Sequence, residues 1–283
     1  MDALIAAEPL IRLSVFAGVF AAMAAWEIAA PRRAQEIRRG WRWPNNLGVV
    51  VVDTVVLRLF FPTAAVGLAL IGEARGWGLF NNLDWPTWIE IVIAVIALDF
   101  VIYLQHVLFH AVPALWRLHR MHHADLEFDV TTGVRFHPVE ILISMVIKFA
   151  AVAALGASAV AVLAFEVLLN ATSMFNHGNV RLPRRLDAVL RWIVVTPEMH
   201  RVHHSVERRE TDSNFGFNLP WWDRLLGTYR PDPAAGHEGM VIGIPAFRDP
   251  AELRLDRMLL QPLRSPATAS SDGDRPSRWK AGR

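Results

Sequence analysis

The sequence of 283 residues contains no cysteine, has Lys148 and Lys280 as its only lysines, and is only 20% charged. Because cysteine is absent, the chain cannot form disulfides, iron–sulfur clusters or zinc sites with thiolate ligands, so any metal must be bound by histidine or carboxylate. The formal net charge of +2 is too small to indicate a nucleic-acid partner. Apolar residues are abundant instead: 53% of the chain is hydrophobic, which is typical of a membrane protein.

Four apolar stretches are candidates for membrane segments. A spanning helix needs about 20 mostly apolar residues, and residues 10–30, 47–71 and 85–110 each provide such a run. Residues 141–175 are too many for one crossing and contain Gly156 near their middle, so we expect this stretch to fold back as a hairpin. The predicted fold is therefore all-α, a polytopic membrane helical bundle of three spans plus a hairpin, rather than a soluble bundle of buried helices.

The charge of the loops predicts the topology. Five arginines lie between residues 32 and 42, after the first span, whereas the loop after the second span contains only Arg75. By the positive-inside rule the first of these loops is cytoplasmic. The third span then returns the chain to the cytoplasmic face near His106, and the hairpin returns it to the same face near His177. Because the bias towards Arg and Ala suggests a bacterial gene, we expect a multi-pass protein of the bacterial inner membrane.

Ten of the eleven histidines fall between residues 106 and 204. Eight of them form three clusters, His106-x3-His110, His119-x2-His122-His123 and His200-x2-His203-His204. Residues three or four apart share a helix face, so His106 and His110 can serve one metal centre, as can His119 and His122, while His123 points about 100° further round. Such clusters can surround two adjacent metal ions, and imidazole suits iron, zinc, copper and nickel alike.

Two single histidines lie between the second and third clusters. His177 ends the predicted hairpin on the same face as the clusters, so we expect it to be a further ligand. His137 precedes Pro138 at the start of the hairpin. It is either a ligand or a structural residue that supports the ligands.

Three other side chains are candidates either to bind the metal or to support the ligands. Asp99 and Tyr103 share the helical face of His106. Asp99 could accept a hydrogen bond from a ligand histidine, or it could pair with another buried polar group. Asp223 is a further candidate of the same kind.

The three clusters resemble those of the fatty acid hydroxylase/sterol desaturase superfamily of integral membrane di-iron enzymes, whose pattern is His-x3/4-His, His-x2/3-His-His and a second His-x2/3-His-His. Asn214-Phe215-Gly216, followed by Trp222-Asp223-Arg224-Leu225-Leu226-Gly227-Thr228, resembles the closing segment of the same family. The resemblance implies a catalytic domain over residues 99–230, including the hairpin at 141–175, after N-terminal membrane helices and a basic loop in residues 1–98. We expect residues 231–283 to be a C-terminal extension, disordered from about residue 264.

The resemblance also implies an activity. A non-haem di-iron centre on the cytoplasmic face, held by the eight clustered histidines and by His177, would use O2 to hydroxylate a lipid such as a sterol or a fatty acyl lipid. His137-Pro138-Val139-Glu140 matches a motif that only some branches of the family carry. Two irons per chain are expected, with zinc as a substitute on purification, and no separate acid or base is assigned. Because the chain has no cysteine for a ferredoxin centre, electrons would come from a separate cytochrome b5-like or ferredoxin/reductase donor.

Three alternatives compete with lipid hydroxylation. Lipid desaturation would use the same oxidant to remove two hydrogens. A His-rich metal transporter would bind its ion near the bilayer midplane on broken helices, whereas these clusters follow a span or lie in polar segments. A bis-His haem carrier would need histidine pairs on facing helices and would not require two consecutive His-His pairs.

Overall fold

The computed structural model describes residues 2–265, and the predicted disorder from about residue 264 falls almost entirely outside this range. The described residues are helical apart from loops and one isolated bridge between Ser205 and Ile242. The helices, in chain order, are α1 (Asp2–Ala6), α2 (Glu8–Ala29), α3 (Arg39–Phe60), α4 (Ala64–Arg75), α5 (Thr87–Ala111), α6 (Pro113–His123), α7 (Pro138–Leu155), α8 (Ala159–Asn176), α9 (Arg184–Leu190), α10 (Pro197–His203), α11 (Arg208–Thr211), α12 (Trp221–Leu225), α13 (Gly236–Gly239) and α14 (Leu255–Leu260). The prediction of an all-α fold is confirmed.

Five helical segments among the described residues are long and apolar enough to cross a membrane. They are Glu8–Ala29, Arg39–Asn82, Thr87–Ala111, Pro138–Leu155 and Ala159–Asn176. At a rise of about 1.5 Å per residue, the 22 residues of α2 measure about 33 Å, which matches the hydrocarbon thickness of a bilayer. The chain is a multi-pass membrane protein.

The second predicted span differs from the structure. Residues 47–71 were expected to form one helix, but α3 begins at Arg39 and ends at Phe60, and α4 begins only at Ala64. Pro62 lies in the break. Because proline has no N–H to donate and disfavours the helical conformation of the residue before it, Phe61 leaves the helix with φ −130°.

The predicted hairpin is present. Helices α7 and α8 are joined by residues 156–158, where Gly156 ends α7 in the left-handed region with φ +68° and Ser158 caps α8. At this turn the Glu90 carboxylate of α5 accepts hydrogen bonds from the backbone N–H (3.0 Å) and hydroxyl (2.8 Å) of Ser158. At the other end, the hydroxyl of Ser173 in α8 donates to the Gly133 carbonyl, 2.7 Å away, just before α7 begins. Both ends of the hairpin therefore return to one side of the bundle, the side that carries the histidines.

The apolar core of the bundle contains a buried cluster of charged side chains. In α8, Glu166 pairs with Lys148 of α7, with 2.6 Å between Oε1 and Nζ, and also with Arg12 of α2. A charge inside a membrane segment is stable only when it has such partners. The three side chains therefore tie α2, α7 and α8 together where hydrophobic packing alone gives little orientation.

The segment after residue 230 packs back onto the bundle. Met258 of α14 is buried against Val49 of α3 and Met121 of α6. The Leu259 carbonyl lies 3.2 Å from Nε2 of His137. The first part of the C-terminal extension therefore packs against the bundle beside the histidine clusters.

Gly156 provides a test of the hairpin turn. Gly76 and Gly156 both have φ between +60° and +70°, where alanine costs about 1–2 kcal/mol. A Cβ at Gly76 meets open space, whereas one at Gly156 would overlap the Trp77 carbonyl oxygen. We expect Gly156→Ala to lower the apparent Tm of the protein in detergent clearly more than Gly76→Ala does; equal Tm values would contradict the close contact between the two loops.

Candidate metal centre

Nine histidines are gathered at one end of the bundle, and short helical segments place each of them. His106 and His110 lie in the last two turns of α5, and His119, His122 and His123 in the last turns of α6. Pro113 begins α6 directly after α5 ends, so the chain turns sharply and brings the first two clusters together. His200 and His203 lie in α10, with His204 next to it, and His177 follows the end of α8.

The nine imidazoles form two adjacent groups, and within each group the potential ligand atoms lie within 4.8 Å of one another. The first group is His106, His110, His119, His123 and His203, and the second is His122, His177, His200 and His204. The two groups are in direct contact, because the rings of His123 and His204 stack with their centroids 4.6 Å apart. These are the nine residues that we predicted as ligands.

The sorting of the ligands differs from the prediction. We expected His119 and His122 to serve one centre because they are three apart, but His119 shares its group with His123 and His122 belongs to the other. The third cluster follows the same rule, because His200 and His204 are together and His203 is apart. The physical reason is that the two histidines four residues apart lie on the same side of their short helix and face the same group. The histidine between them faces the other group.

The tautomers of four histidines follow from their hydrogen bonds. Nδ1 of His106 lies 2.7 Å from the Phe215 carbonyl, Nδ1 of His203 2.7 Å from the Ser213 carbonyl, and Nδ1 of His119 2.7 Å from the Glu140 carboxylate. An oxygen of this kind can only accept, so each Nδ1 donates and each Nε2 carries a lone pair. In the second group, Nδ1 of His177 likewise donates to the Ser173 carbonyl at 2.7 Å.

These lone pairs point at one another, which tests whether a metal fits. Nε2 of His106 lies 3.1 Å from Nε2 of both His119 and His203, although none of the three carries a proton there. Nε2 of His177 lies 3.1–3.2 Å from Nε2 of three other histidines. The single lone pair on His177 Nε2 can accept a hydrogen bond from only one of these three rings. Nitrogens bound to one metal at about 2.0–2.1 Å are separated by about 2.9–3.4 Å. Both groups therefore fit a metal cation, and the chemistry of the donors is that of a metal-binding site.

Burial keeps the imidazoles neutral. It lowers the pKa of His122, His123, His200 and His204 well below the ordinary value, and neighbouring imidazoles lower it further. Burial lowers the pKa of His177 and of His203 to about 3. At neutral pH these rings are therefore in the unprotonated form that binds metals.

The closing segment and Ser213, the residue just before it, provide the carbonyls that orient His106 and His203. The Asp223 carboxylate accepts from the backbone N–H groups of Phe215 at 2.8 Å and of Gly216 at 2.9 Å. A Cβ at Gly216 would lie 2.8 Å from Asp223 Oδ2, so only glycine allows this contact. Asn214 fixes the same loop to α10 by donating to the Met199 carbonyl at 2.9 Å. Asp223 therefore acts on the centre through the loop and does not contact a histidine.

Asp99 and Tyr103 also contact the closing segment rather than the ligands. Asp99 accepts from Trp222 Nε1 at 2.8 Å and from two backbone N–H groups, and the Tyr103 hydroxyl lies 2.9 Å from Thr228 Oγ1. Of the two roles considered for Asp99, the structure therefore shows the pairing with other polar groups and not the hydrogen bond to a ligand histidine. Asp99 lies seven residues before His106, about 10 Å along the helix, which is too far for a contact.

His137 lies outside both groups. Its Nδ1 accepts from the backbone N–H of Val139 at 3.2 Å, and its Nε2 donates to the Leu259 carbonyl. It caps α7 and ties the C-terminal segment to it. Of the two roles considered for His137, the structure therefore places it in the structural one.

Two supporting features were missed in the sequence. Glu140 orients the ring of His119, but in the sequence only its position after His137-Pro138 pointed to such a role. Arg42 was counted among the loop charges, yet it is fully buried and binds both oxygens of Asp125 at 2.9 Å and Asp129 at 2.6 Å. Burial raises the pKa of each aspartate, but Arg42 outweighs it and holds both below their ordinary values.

Comparison with known proteins agrees with this geometry. The fatty acid hydroxylase family model matches residues 91–228. The chain is 32% identical over 150 residues to an ornithine lipid hydroxylase of Rhizobium tropici, covering 53% of this chain and 44% of that protein. It is 26% identical over 230 residues to an alkylglycerol monooxygenase of Xenopus tropicalis, covering 78% and 50%. No solved structure matches.

The chain thus spans about half the length, or less, of these curated relatives. The family match covers both membrane hairpin helices, all nine histidines and the closing segment. Residues 91–228 therefore match the fatty acid hydroxylase family, and the resemblance inferred from the sequence is confirmed.

Glu140 offers a test of how the ligands are oriented. We expect Glu140→Ala to weaken metal binding by about 10- to 100-fold, because Nδ1 of His119 loses its acceptor. Glu140→Gln keeps an oxygen within reach and should lose less. Chelator competition on the metal-loaded protein measures the affinity. Glu127→Gln is the control, since Glu127 caps the backbone of residues 36 and 37; an equal loss in that variant would contradict a specific role for Glu140.

Proposed function

We propose that this chain is a membrane-bound di-iron oxidoreductase of the fatty acid hydroxylase superfamily that uses O2 to hydroxylate a lipid. The observation that carries the proposal is the convergence of Nε2 lone pairs in two adjacent groups of neutral imidazoles. His106, His110, His119, His123 and His203 would hold one iron, and His122, His177, His200 and His204 the other. The catalytic domain is assigned to residues 99–230.

Iron is preferred over zinc on chemical grounds. Imidazole binds either metal, but zinc has no redox chemistry, and the relatives are named hydroxylases and monooxygenases. When bound, a pair of irons supplies the redox equivalents that activate O2 for attack on an unactivated C–H bond. The residues of the chain hold the ligand nitrogens unprotonated, fix the ring orientations through oxygens such as that of Phe215, and exclude water by burial.

The position of the site supports a lipid substrate. The ligands lie at the ends of α5 and α8, which are candidate membrane spans, so an acyl chain can approach them without leaving the bilayer. The names of the relatives support hydroxylation over desaturation and make ornithine lipid and alkylglycerols the first substrates to test. Metal transport is disfavoured, because the ligands are buried and several are fixed by backbone carbonyls.

The source of electrons is a further part of the proposal. The sequence has no cysteine for an iron–sulfur cluster, and nine histidines are committed to the two groups. We therefore propose a separate one-electron donor, either a cytochrome b5-like protein or a ferredoxin with its reductase.

Metal content and oxygen incorporation test the proposed function. Protein purified from iron-supplemented cells should contain about two irons per chain, one for each group, with a coupled Mössbauer signal. With 18O2 and a reductant it should add labelled oxygen to the lipid. We expect His203→Ala and His122→Ala, which remove a ligand from the first and the second group, to lose metal and activity.

His137→Ala is the matched control, since it removes a buried imidazole outside both groups and should retain both metals. A haem spectrum, or unchanged metal content in His203→Ala and His122→Ala, would refute the ligand assignment. A double bond without labelled oxygen in the product would identify a desaturase.

We further propose that the histidine end of the bundle faces the cytoplasm of a bacterial inner membrane. The basic segment between residues 32 and 42 supports this, since arginines are retained on the cytoplasmic side. A reporter active only in the cytoplasm and fused after Arg230 should be active, and the same reporter in the loop at Asn81 should be silent. The reverse pattern would invert the topology.

A further inference from the structure

An exposed apolar surface lies outside the five candidate spans, on α9, on residues 192 and 193 shortly after its end, and on α12 with the residue that follows it. Its members, which we call the Trp192 surface, are Leu186, Val189, Trp192, Ile193, Leu225 and Leu226. Leu225 is 73% exposed and Val189 60%, as much as Leu59 (74%) and Leu13 (66%), which lie in candidate spans. Apolar exposure concentrated in one place marks a site of interaction rather than an ordinary water-facing surface.

The two short helices form one continuous surface. Trp221 Nε1 at the start of α12 donates to the Trp192 carbonyl at 2.7 Å. The guanidinium of Arg224 lies 3.9 Å from the ring centroid of Trp192 and also donates to the Arg191 carbonyl. Two hydrogen bonds to backbone carbonyls and a cation–π contact therefore hold α9 and α12 in a fixed arrangement.

Helix α5 gives the depth of this surface. Four contacts follow one another along its length: Asp99 with Trp222, Tyr103 with Thr228, His106 with Phe215, and His110 with Asp212. Asp99 precedes His110 by eleven residues, about 16 Å along the helix towards its membrane interior. Since Trp222 lies in α12, the Trp192 surface stands at membrane depth while Asp212 and α11 stand towards water.

Basic side chains border the apolar surface. Arg184 and Arg185, at the start of α9, are exposed. A cleft of about 920 Å³ beside Trp192 is lined by five arginines, against three carboxylates. Arginine presents a planar set of donors that matches phosphate oxygens, and tryptophan is enriched where apolar and wet regions meet.

We propose that the Trp192 surface inserts into the leaflet on the histidine side of the membrane and is covered by phospholipid, with acyl chains against Val189 and Leu225 and headgroup phosphates at the arginines around the start of α9. This inference rests on the exposure, depth and charge of this surface and does not require the proposed enzymatic activity. It makes α9 and α12 an interfacial anchor beside the metal centre, in addition to the five spans.

The absence of native cysteine permits a direct test. Val189→Cys and Leu225→Cys, each labelled with a bimane, are placed in vesicles of phosphatidylethanolamine and phosphatidylglycerol. Leu59→Cys is the reference for a lipid-facing site, and Arg208→Cys, whose native side chain is 92% exposed in α11, is the reference for a water-facing site. Lipids with a nitroxide on the upper acyl chain should quench Val189→Cys and Leu225→Cys about as strongly as Leu59→Cys and leave Arg208→Cys bright.

Two results would overturn the proposal. Quenching of Val189→Cys and Leu225→Cys by aqueous iodide to the extent seen for Arg208→Cys, with no loss to the lipid nitroxide, would place the surface in water. Protection from both quenchers, together with disulfide cross-linking between copies, would show that a second copy of the chain covers it. Retained metal content in each variant confirms that the metal-binding end of the bundle is folded.

Discussion

Lone pairs of neutral imidazoles converge at one end of the helical bundle, and the surrounding structure is arranged to hold them there. Each ring needs an acceptor behind it so that its Nε2 faces inward, and four rings obtain one from Phe215, Ser213, Ser173 and Glu140. Three of these acceptors are backbone carbonyls, which cannot change protonation state. The lone pairs of these nitrogens repel one another, and a bound cation would relieve the repulsion by attracting them, so metal binding and the stability of this region are coupled.

The buried ion pairs next to the histidine groups also help to hold the ligands in position. Arg42 in α3, with Asp125 and Asp129 after α6, forms a fully buried network. Such a network contributes little net stability, because the desolvation of its charges offsets their attraction. The network does fix the position of these ligands, because Asp125 follows His122 by three residues and His123 by two. A one-residue shift of α6 against α3 would leave buried charges unpaired, so the network selects the register that keeps the ligands in place.

Much of this arrangement could be predicted from the sequence because its signals are local. Apolar length gave two spans and the hairpin, and histidine spacing gave the ligands, since both depend on residues near one another in the chain. The partition of His119, His122 and His123 could not be predicted, because residues three apart and four apart both share a helix face, and only the packing around α6 decides which pair faces one group. Backbone acceptors such as Phe215 leave no side-chain signal. Arg42 resembled a loop charge because its partners lie more than 80 residues away.

The contacts along α5 connect the part of the protein at membrane depth with the part exposed to water. One face of this helix runs from Asp99, which anchors the membrane-level closing segment, through the ligand His106 to His110, which contacts the water-exposed Asp212. The metal centre therefore lies at the boundary between two solvents, with apolar surface on one side and polar surface on the other. The function that we propose, hydroxylation of a lipid with electrons from a partner, fits this position, because a lipid would approach from the bilayer and a partner from the water-exposed side. The order of Asp99, Tyr103, His106 and His110, three to four residues apart, encodes that position on a single helix face.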